Sequence, residues 1–198
     1  MTALPKSPPG RMTVDEFFVW PGDRGKRKFQ LVDGEPRAMA PASPTHGTIQ
    51  ATIAGLLRNH LIARRGDCRV VAEPGVVPRI KADSNLRVPD VGVTCVPDDP
   101  GYKSLPDPIL LVEVLSPSNE PETWENVWAF TTIPSVHEIL VLHSTKIAAE
   151  LLRRQLDGNW PERPDEIGRD EALVLDSVGF QCQLLDVYAQ THLVRAAG

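Results

Sequence analysis

Apolar positions follow two periods along the chain, and each period predicts its own kind of element. Within residues 46–65, Ile49, Ile53, Leu56, Leu57, Leu61 and Ile62 recur at helical spacing, a stripe wide enough to dock a long helix on a sheet. Residues 12–20 predict a shorter helix, with Thr13 as its N-cap and Asp15 and Glu16 in the first turn. Pro21, Gly22 and Gly25 end it. Residues 29–41, FQLVDGEPRAMAP, then alternate around Asp33-Gly34, a dipeptide whose tolerance of positive φ suits a hairpin turn.

From residue 68 the pattern shifts to short β-branched runs, CRVVAEPGVVPRI and LRVPDVGVTCV. PILLVEVLS, residues 108–116, is the near-continuous apolar run of a strand covered on both faces. These three segments read as consecutive strands of one sheet. Residues 120–130 predict a helix in which Trp124, Val127 and Trp128 pack inward, and VHEILVLHS predicts a further buried strand. Beyond it, IAAELLRRQ, a turn at Gly158-Asn159 and ALVLDSVGFQCQLLDVY predict an added strand pair and a short terminal helix. The pattern as a whole describes an α/β (α+β) chain with a central mixed sheet flanked by helices and an N-terminal β-hairpin.

A length of 198 residues suits a single domain with a full hydrophobic core. A net charge of −5 excludes an open basic surface that grips duplex DNA by charge alone, since such binding rests on many phosphate contacts. Basic residues do cluster locally: Arg24, Lys26, Arg27 and Lys28; Arg64, Arg65 and Arg69; Arg79, Lys81 and Arg87. No run of eighteen apolar residues occurs, and residues 1–10 lack the apolar stretch of a secretory leader, so the expectation is a soluble, cytoplasmic protein without membrane contact. Cys68, Cys95 and Cys182 are odd in number and widely separated, matching neither a disulfide framework nor a zinc spacing, and read as small buried hydrophobes in a reducing compartment.

Two acidic residues interrupt the apolar strands, Asp90 in RVPDVGV and Glu113 in LLVEVLS. An unpartnered carboxylate there would be protonated or destabilising, so each needs a reason. One reason is local: amides at the strand start for Asp90, a salt bridge to Arg87 or His137 for Glu113. The other is a shared cation. Mg²⁺ or Mn²⁺ takes oxygen ligands and needs only one or two carboxylates beside water and substrate phosphate. A metal held by Asp90 and Glu113 would acidify water and stabilise charge on a phosphate under attack, which is the chemistry of phosphodiester hydrolysis.

The order hairpin, helix, strand, Pro-Asp, Glu on the next strand, helix, strand resembles the PD-(D/E)XK nuclease superfamily. The phrases LVDGEP, SPTHG, VPDVGV and EVLSPS are similar to its branch of restriction endonuclease-like proteins of uncharacterised function. The resemblance implies a restriction endonuclease-like core over residues 12–143, with residues 144–198 as a C-terminal strand and helix extension of the same domain. It implies Asp90 and Glu113 as catalytic metal ligands, a carbonyl of Val112 or Val114 as a further ligand, and Glu35 and His46 along the cleft. It also implies DNA as substrate and a homodimer, since two-fold dimers suit the cleavage of both strands.

One part of the motif is missing. The superfamily places a Lys two residues after the acidic residue, and here that place holds Leu115. Related members carry it on the following helix, where ETWENVWAF offers Asn126 and no Lys or Arg. Asparagine orients water but cannot stabilise developing negative charge as an ammonium does. Lys103 and Lys146 are the alternative cations, and Arg87 or Lys81 the candidates to contact phosphate. Two readings stay open: a metal-dependent deoxyribonuclease, and a catalytically impaired nuclease fold serving as a nucleic-acid-binding or structural module.

Overall fold

A computed structural model describes residues 11–23 and 25–195. Arg24, one member of the first basic cluster, lies outside the described residues. Helix α1 (Val14–Val19) opens with a capping box: the Thr13 hydroxyl accepts from the Glu16 amide, and the Glu16 carboxylate accepts from the Thr13 amide. Strands β1 (Phe29–Val32) and β2 (Glu35–Ala38) pair antiparallel around Asp33 and Gly34, which have φ of 50° and 83°. A Cβ at Gly34 would also stand 2.9 Å from the Cβ of Arg11, so both backbone angle and space favour glycine there. The hairpin is moored to the rest of the chain by Leu31, which exchanges both main-chain hydrogen bonds with Leu86.

Helix α2 (Pro44–Arg64) starts at an N-cap Ser43 with proline in its first turn, and stops at Arg65 in the left-handed conformation. Its buried face is His46, Ile49, Ile53, Leu57 and Leu61. The stripe is narrower than its sequence suggests, because Ile62 is 58% exposed.

The main sheet runs in the order β3 (Arg69–Ala72), β4 (Val91–Thr94), β5 (Pro108–Leu115), β6 (Glu138–His143), β7 (Ala148–Arg153), β8 (Asp165–Gly168). Only β5 and β6 are parallel, and helix α3 (Glu120–Phe130) supplies the crossover that a parallel pair requires. A second hairpin, β9 (Ala172–Leu175) with β10 (Phe180–Gln183), leads into the short helices α4 (Leu184–Val187) and α5 (His192–Arg195). The residues after 144 thus supply two strands to the main sheet, β7 and β8, besides a hairpin and short helices.

Alternation along β5 divides the core. Leu110, Val112 and Val114 join α2 and the C-terminal hairpin in one apolar cluster, while Leu111 and Leu115 join Val127 and Phe130 of α3 in the other. Glu113 shares its parity with Leu111 and Leu115 and therefore faces α3. Trp124 packs beside that second cluster, but Trp128 is 45% exposed, so only one of the two tryptophans packs inward as expected.

The reading of all three cysteines as inert hydrophobes is corrected by a disulfide between Cys68 and Cys95. Pairing of β3 with β4 sets Arg69 opposite Thr94, and one step further sets Cys68 opposite Cys95. A separation of 27 residues carries no local sign of that pairing, and the bridge removes the cysteine argument for a reducing compartment. Cys182 stays a thiol, its pKa pushed up to about 11 by burial. None of the described helices is long and apolar enough to cross a membrane.

Candidate metal centre

Strand register brings the two predicted carboxylates together. Val91 pairs with Val112 and Gly92 with Leu111 across the antiparallel β4–β5 ladder, so Asp90, one residue before β4, falls opposite Glu113. Asp90 is held on several sides: its Oδ2 accepts from the Val114 amide at 2.6 Å, its Oδ1 accepts from His46 Nε2 at 2.9 Å, and its own carbonyl accepts from Gln50 Nε2 and the Glu73 amide. Both His46 and Gln50 come from α2, whose first turn is fixed by the Ser43 cap on the His46 amide. The positive end of that helix also favours a carboxylate nearby.

Glu113 is 6% exposed and projects from an otherwise apolar strand toward α3. There Asn126 Nδ2 donates to its Oε1 at 3.4 Å, a long contact. The Asn126 amide is oriented from behind, since its Oδ1 accepts from Arg87 Nη1 at 3.0 Å. The pKa of Glu113 is raised well above its ordinary value of 4.5, chiefly by burial and next by the charge of Asp90, with the Asn126 bond acting the other way. Removal of water and an adjacent negative charge both disfavour the ionised form, and a divalent cation between the two carboxylates would relieve both.

That shift has a stability consequence. A raised carboxyl pKa means the folded state holds its proton more tightly than the unfolded state, so stability is retained below 4.5 and is lost as pH rises through the elevated value. Glu113→Gln is therefore expected to raise the melting temperature of the metal-free protein at pH 8, at about 2–4 °C per kcal/mol gained, and to leave it unchanged near pH 4. Thermal melts at the two pH values check this. Equal stability of the two proteins at pH 8 would contradict the strain assigned to Glu113.

The pair lies at the floor of a cleft of about 340 Å³. His46 and Ser116 stand on its α2 side, Glu122 and Asn126 on its α3 side, and Lys26, Lys28 and Gln30 on the hairpin side. Among the described residues no group of three or more His, Cys, Asp or Glu forms a ready-made metal cage. A two-carboxylate site is nonetheless the ordinary arrangement for Mg²⁺, which keeps several waters and shares its shell with substrate phosphate.

Several expected site residues go elsewhere. Glu35 sits exposed at the start of β2 and does not line the cleft. Arg87 is 4% exposed and spends its guanidinium on Asn126, Asn85 and Glu125, so it is not placed to touch phosphate. Lys81 bonds Asp33 under the hairpin. Lys103 lies over the Phe18 ring and Lys146 in the turn before β7, and neither lines the cleft. Glu113 forms no salt bridge with Arg87, because Asn126 stands between them, nor with exposed His137. Leu115, in the place of the motif Lys, is packed into the α3 cluster.

The cleft also has members the sequence did not single out. Gln30, 1% exposed, donates through Nε2 to Glu122 at 2.8 Å and leaves its buried Oε1 without a partner. A polar residue buried within a β1 that otherwise reads FLV was its only signal. Lys28 forms an ion pair with Glu73. The charge run that contains Lys28 was visible, but its destination was not.

A family model described as "Uma2: Putative restriction endonuclease" matches residues 14–187. The chain belongs to the Uma2 family. Its fold is that of the restriction endonuclease-like, PD-(D/E)XK type. An uncharacterized protein of Synechocystis sp. (strain ATCC 27184 / PCC 6803 / Kazusa) is 30% identical over 158 residues, covering 79% of this chain and 81% of that one. Among solved structures, one described as a putative nuclease belonging to DUF820, from Anabaena variabilis ATCC 29413, superposes with a TM-score of 0.71 at 15% identity. It covers 90% of this chain and 98% of its own, and at that identity the likeness is one of fold. The Uma2 match takes in Asp90, Glu113 and every other cleft residue named above.

Proposed function

We propose that this Uma2 protein is a divalent-metal-dependent endonuclease that hydrolyses DNA phosphodiester bonds, with Asp90 and Glu113 holding Mg²⁺ or Mn²⁺. The observation that carries this reading is the carboxylate pair itself, set face to face by strand register at the floor of a cleft, with Glu113 buried and resisting ionisation. A structural carboxylate pair would be expected to carry bonded cations, whereas among the described residues Asp90 has only His46 as a basic partner and Glu113 has none. When bound, the divalent ion supplies Lewis-acid charge that polarises a phosphate oxygen and acidifies water.

The chain's own residues would do the rest. His46 and the Val114 amide fix Asp90 so that one geometry is presented to the ion. Asn126, locked by Arg87, would steady Glu113 and, as part of the cleft lining, would have a second amide hydrogen left to orient water. Such fixing of ligands by outer partners commonly governs metal affinity 10–100-fold.

The test is cleavage of supercoiled and single-stranded DNA with Mg²⁺ or Mn²⁺, alongside calorimetric titration of each ion. Metal-dependent nicking is the expected result. Metal binding without any cleavage would favour the second reading, a nuclease fold retained as a binding module, for which the burial of Leu115 at the motif Lys position speaks. Neither binding nor cleavage would sink both metal roles.

A further inference from the structure

The cleft carries its positive charge in one narrow place. Lys26, Arg27 and Lys28 run along its hairpin wall just before β1. Arg27 is already committed, bonded to Asp23 at 2.7 Å and lying over the Phe29 ring. Lys26 has no ion pair among the described residues, and Lys28 pairs only with Glu73, itself a cleft residue. Both ends of that pair are in contact with water, so it is weak and a phosphate can displace it. Two available ammoniums can meet about two phosphates of one strand. They fall well short of the six to ten phosphate contacts by which proteins typically grip duplex DNA, and the net charge of −5 offers little elsewhere.

Size points the same way. A cleft of about 340 Å³ is at the lower end of sites for single small ligands and holds on the order of one nucleotide. Glu113 at its floor is almost entirely buried, so a reacting phosphate has to come inside the cleft, which a nucleotide out of the base stack can do. Gln30, on the same wall as the lysines, has a covered acceptor with no donor from the protein, which a base amino group or a sugar hydroxyl would complement if that oxygen turned to the cleft.

Building on the reading of this cleft as a nucleic-acid site, we infer that the strand it accepts is single-stranded, with its backbone held by Lys26 and Lys28 and with Glu73 competing for Lys28. Glu73 then acts as an intramolecular mimic of phosphate that occupies the ammonium until a strand arrives. A single strand also needs no two-fold partner across the helix axis.

Fluorescence anisotropy on the full chain, with Ca²⁺ present to suppress turnover, tests this with oligonucleotides of about 12 residues. The arms are single-stranded DNA, the RNA of the same sequence, and the DNA duplex. Single strands are expected to bind at least about tenfold tighter than the duplex, whichever sugar is preferred. Lys26→Ala and Lys28→Ala should each weaken single-strand binding severalfold and reduce the slope of log K against log salt by about 0.7. Glu73→Gln should tighten it, a gain that a merely structural salt bridge would not yield. Equal or tighter duplex binding, no binding, or indifference to both lysines would overturn the inference. Cleavage of duplex with weak single-strand binding would overturn it and leave the proposed nuclease standing, whereas tight single-strand binding without cleavage would do the reverse.

Discussion

Asp90→Asn is expected to fold like the parent protein and to lower metal-dependent cleavage by about 10³-fold, because the loss of one ligand charge removes several kcal/mol of transition-state stabilisation at 1.36 kcal/mol per decade. Asparagine is the informative replacement. Its side-chain oxygen can still accept from the Val114 amide, one of the two bonds that Asp90 makes through its carboxylate. The carbonyl bonds to Gln50 and Glu73 are main-chain on the Asp90 side and persist. Shape is kept and charge is lost. Steady-state nicking rates and calorimetric metal affinity, measured beside a thermal melt, separate the two. A rate within tenfold of the parent would remove Asp90 from the metal site.

Arg87→Met should cost about 3 kcal/mol of stability, roughly 6–12 °C in melting temperature for a chain of this size. Methionine roughly fills the volume but strands the Asn126 oxygen in a buried setting, since Arg87 is its donor, while Asn85 Oδ1 loses one of two donors and keeps the Asp33 amide. The cost stays below that of a fully satisfied buried arginine, because Arg87 Nε has no partner and its desolvation is already borne by the parent fold. With Arg87 gone the Asn126 amide can flip, and Glu113 loses its fixed donor. Metal affinity is expected to fall 10–100-fold on top of the loss of stability. Urea melts and calorimetry read the two effects separately. Unchanged metal binding in a destabilised variant would show that Arg87 serves only the fold.

The missing motif lysine shapes how these results bear on one another. Leu115 faces the α3 cluster from the same side of β5 as Glu113, so a lysine there would lie over the site, and leucine instead closes the core. Behind the carboxylates Arg87 lies one side chain removed through Asn126, and Lys26 and Lys28 line the same cleft. In the proposed nuclease, the charge that one lysine supplies in the superfamily pattern would be divided between the buried Arg87 guanidinium, which orients Asn126, and the exposed Lys26 and Lys28 ammoniums. The lysine and Arg87 variants therefore probe different halves of one missing residue.

Much of the fold was legible in local sequence. Thr13 with Glu16 marked the start of α1, Asp33-Gly34 the hairpin turn, and the spacing of Ile49, Ile53, Leu57 and Leu61 the face of α2. These signals are local because capping, positive φ and amphipathic spacing depend on residues a few positions apart. Asp90 and Glu113 were legible for a different reason, since a carboxylate within an apolar strand contradicts its surroundings and so advertises a partner. The sequence by itself determined most of the segments that become helix or strand, though not β8, which follows the linker-like Pro161 and Pro164, and it determined which two acids had to be explained. Only the tertiary structure decided who meets whom: the register that sets Asp90 opposite Glu113 and Cys68 opposite Cys95, the burial of Arg87 behind Asn126, and the hairpin anchored at Leu86 that carries Lys28 to Glu73. Those pairings join residues from 23 positions apart, for Asp90 and Glu113, to 55, for Leu31 and Leu86. Such contacts follow from how whole elements pack, and no period in the local pattern encodes them.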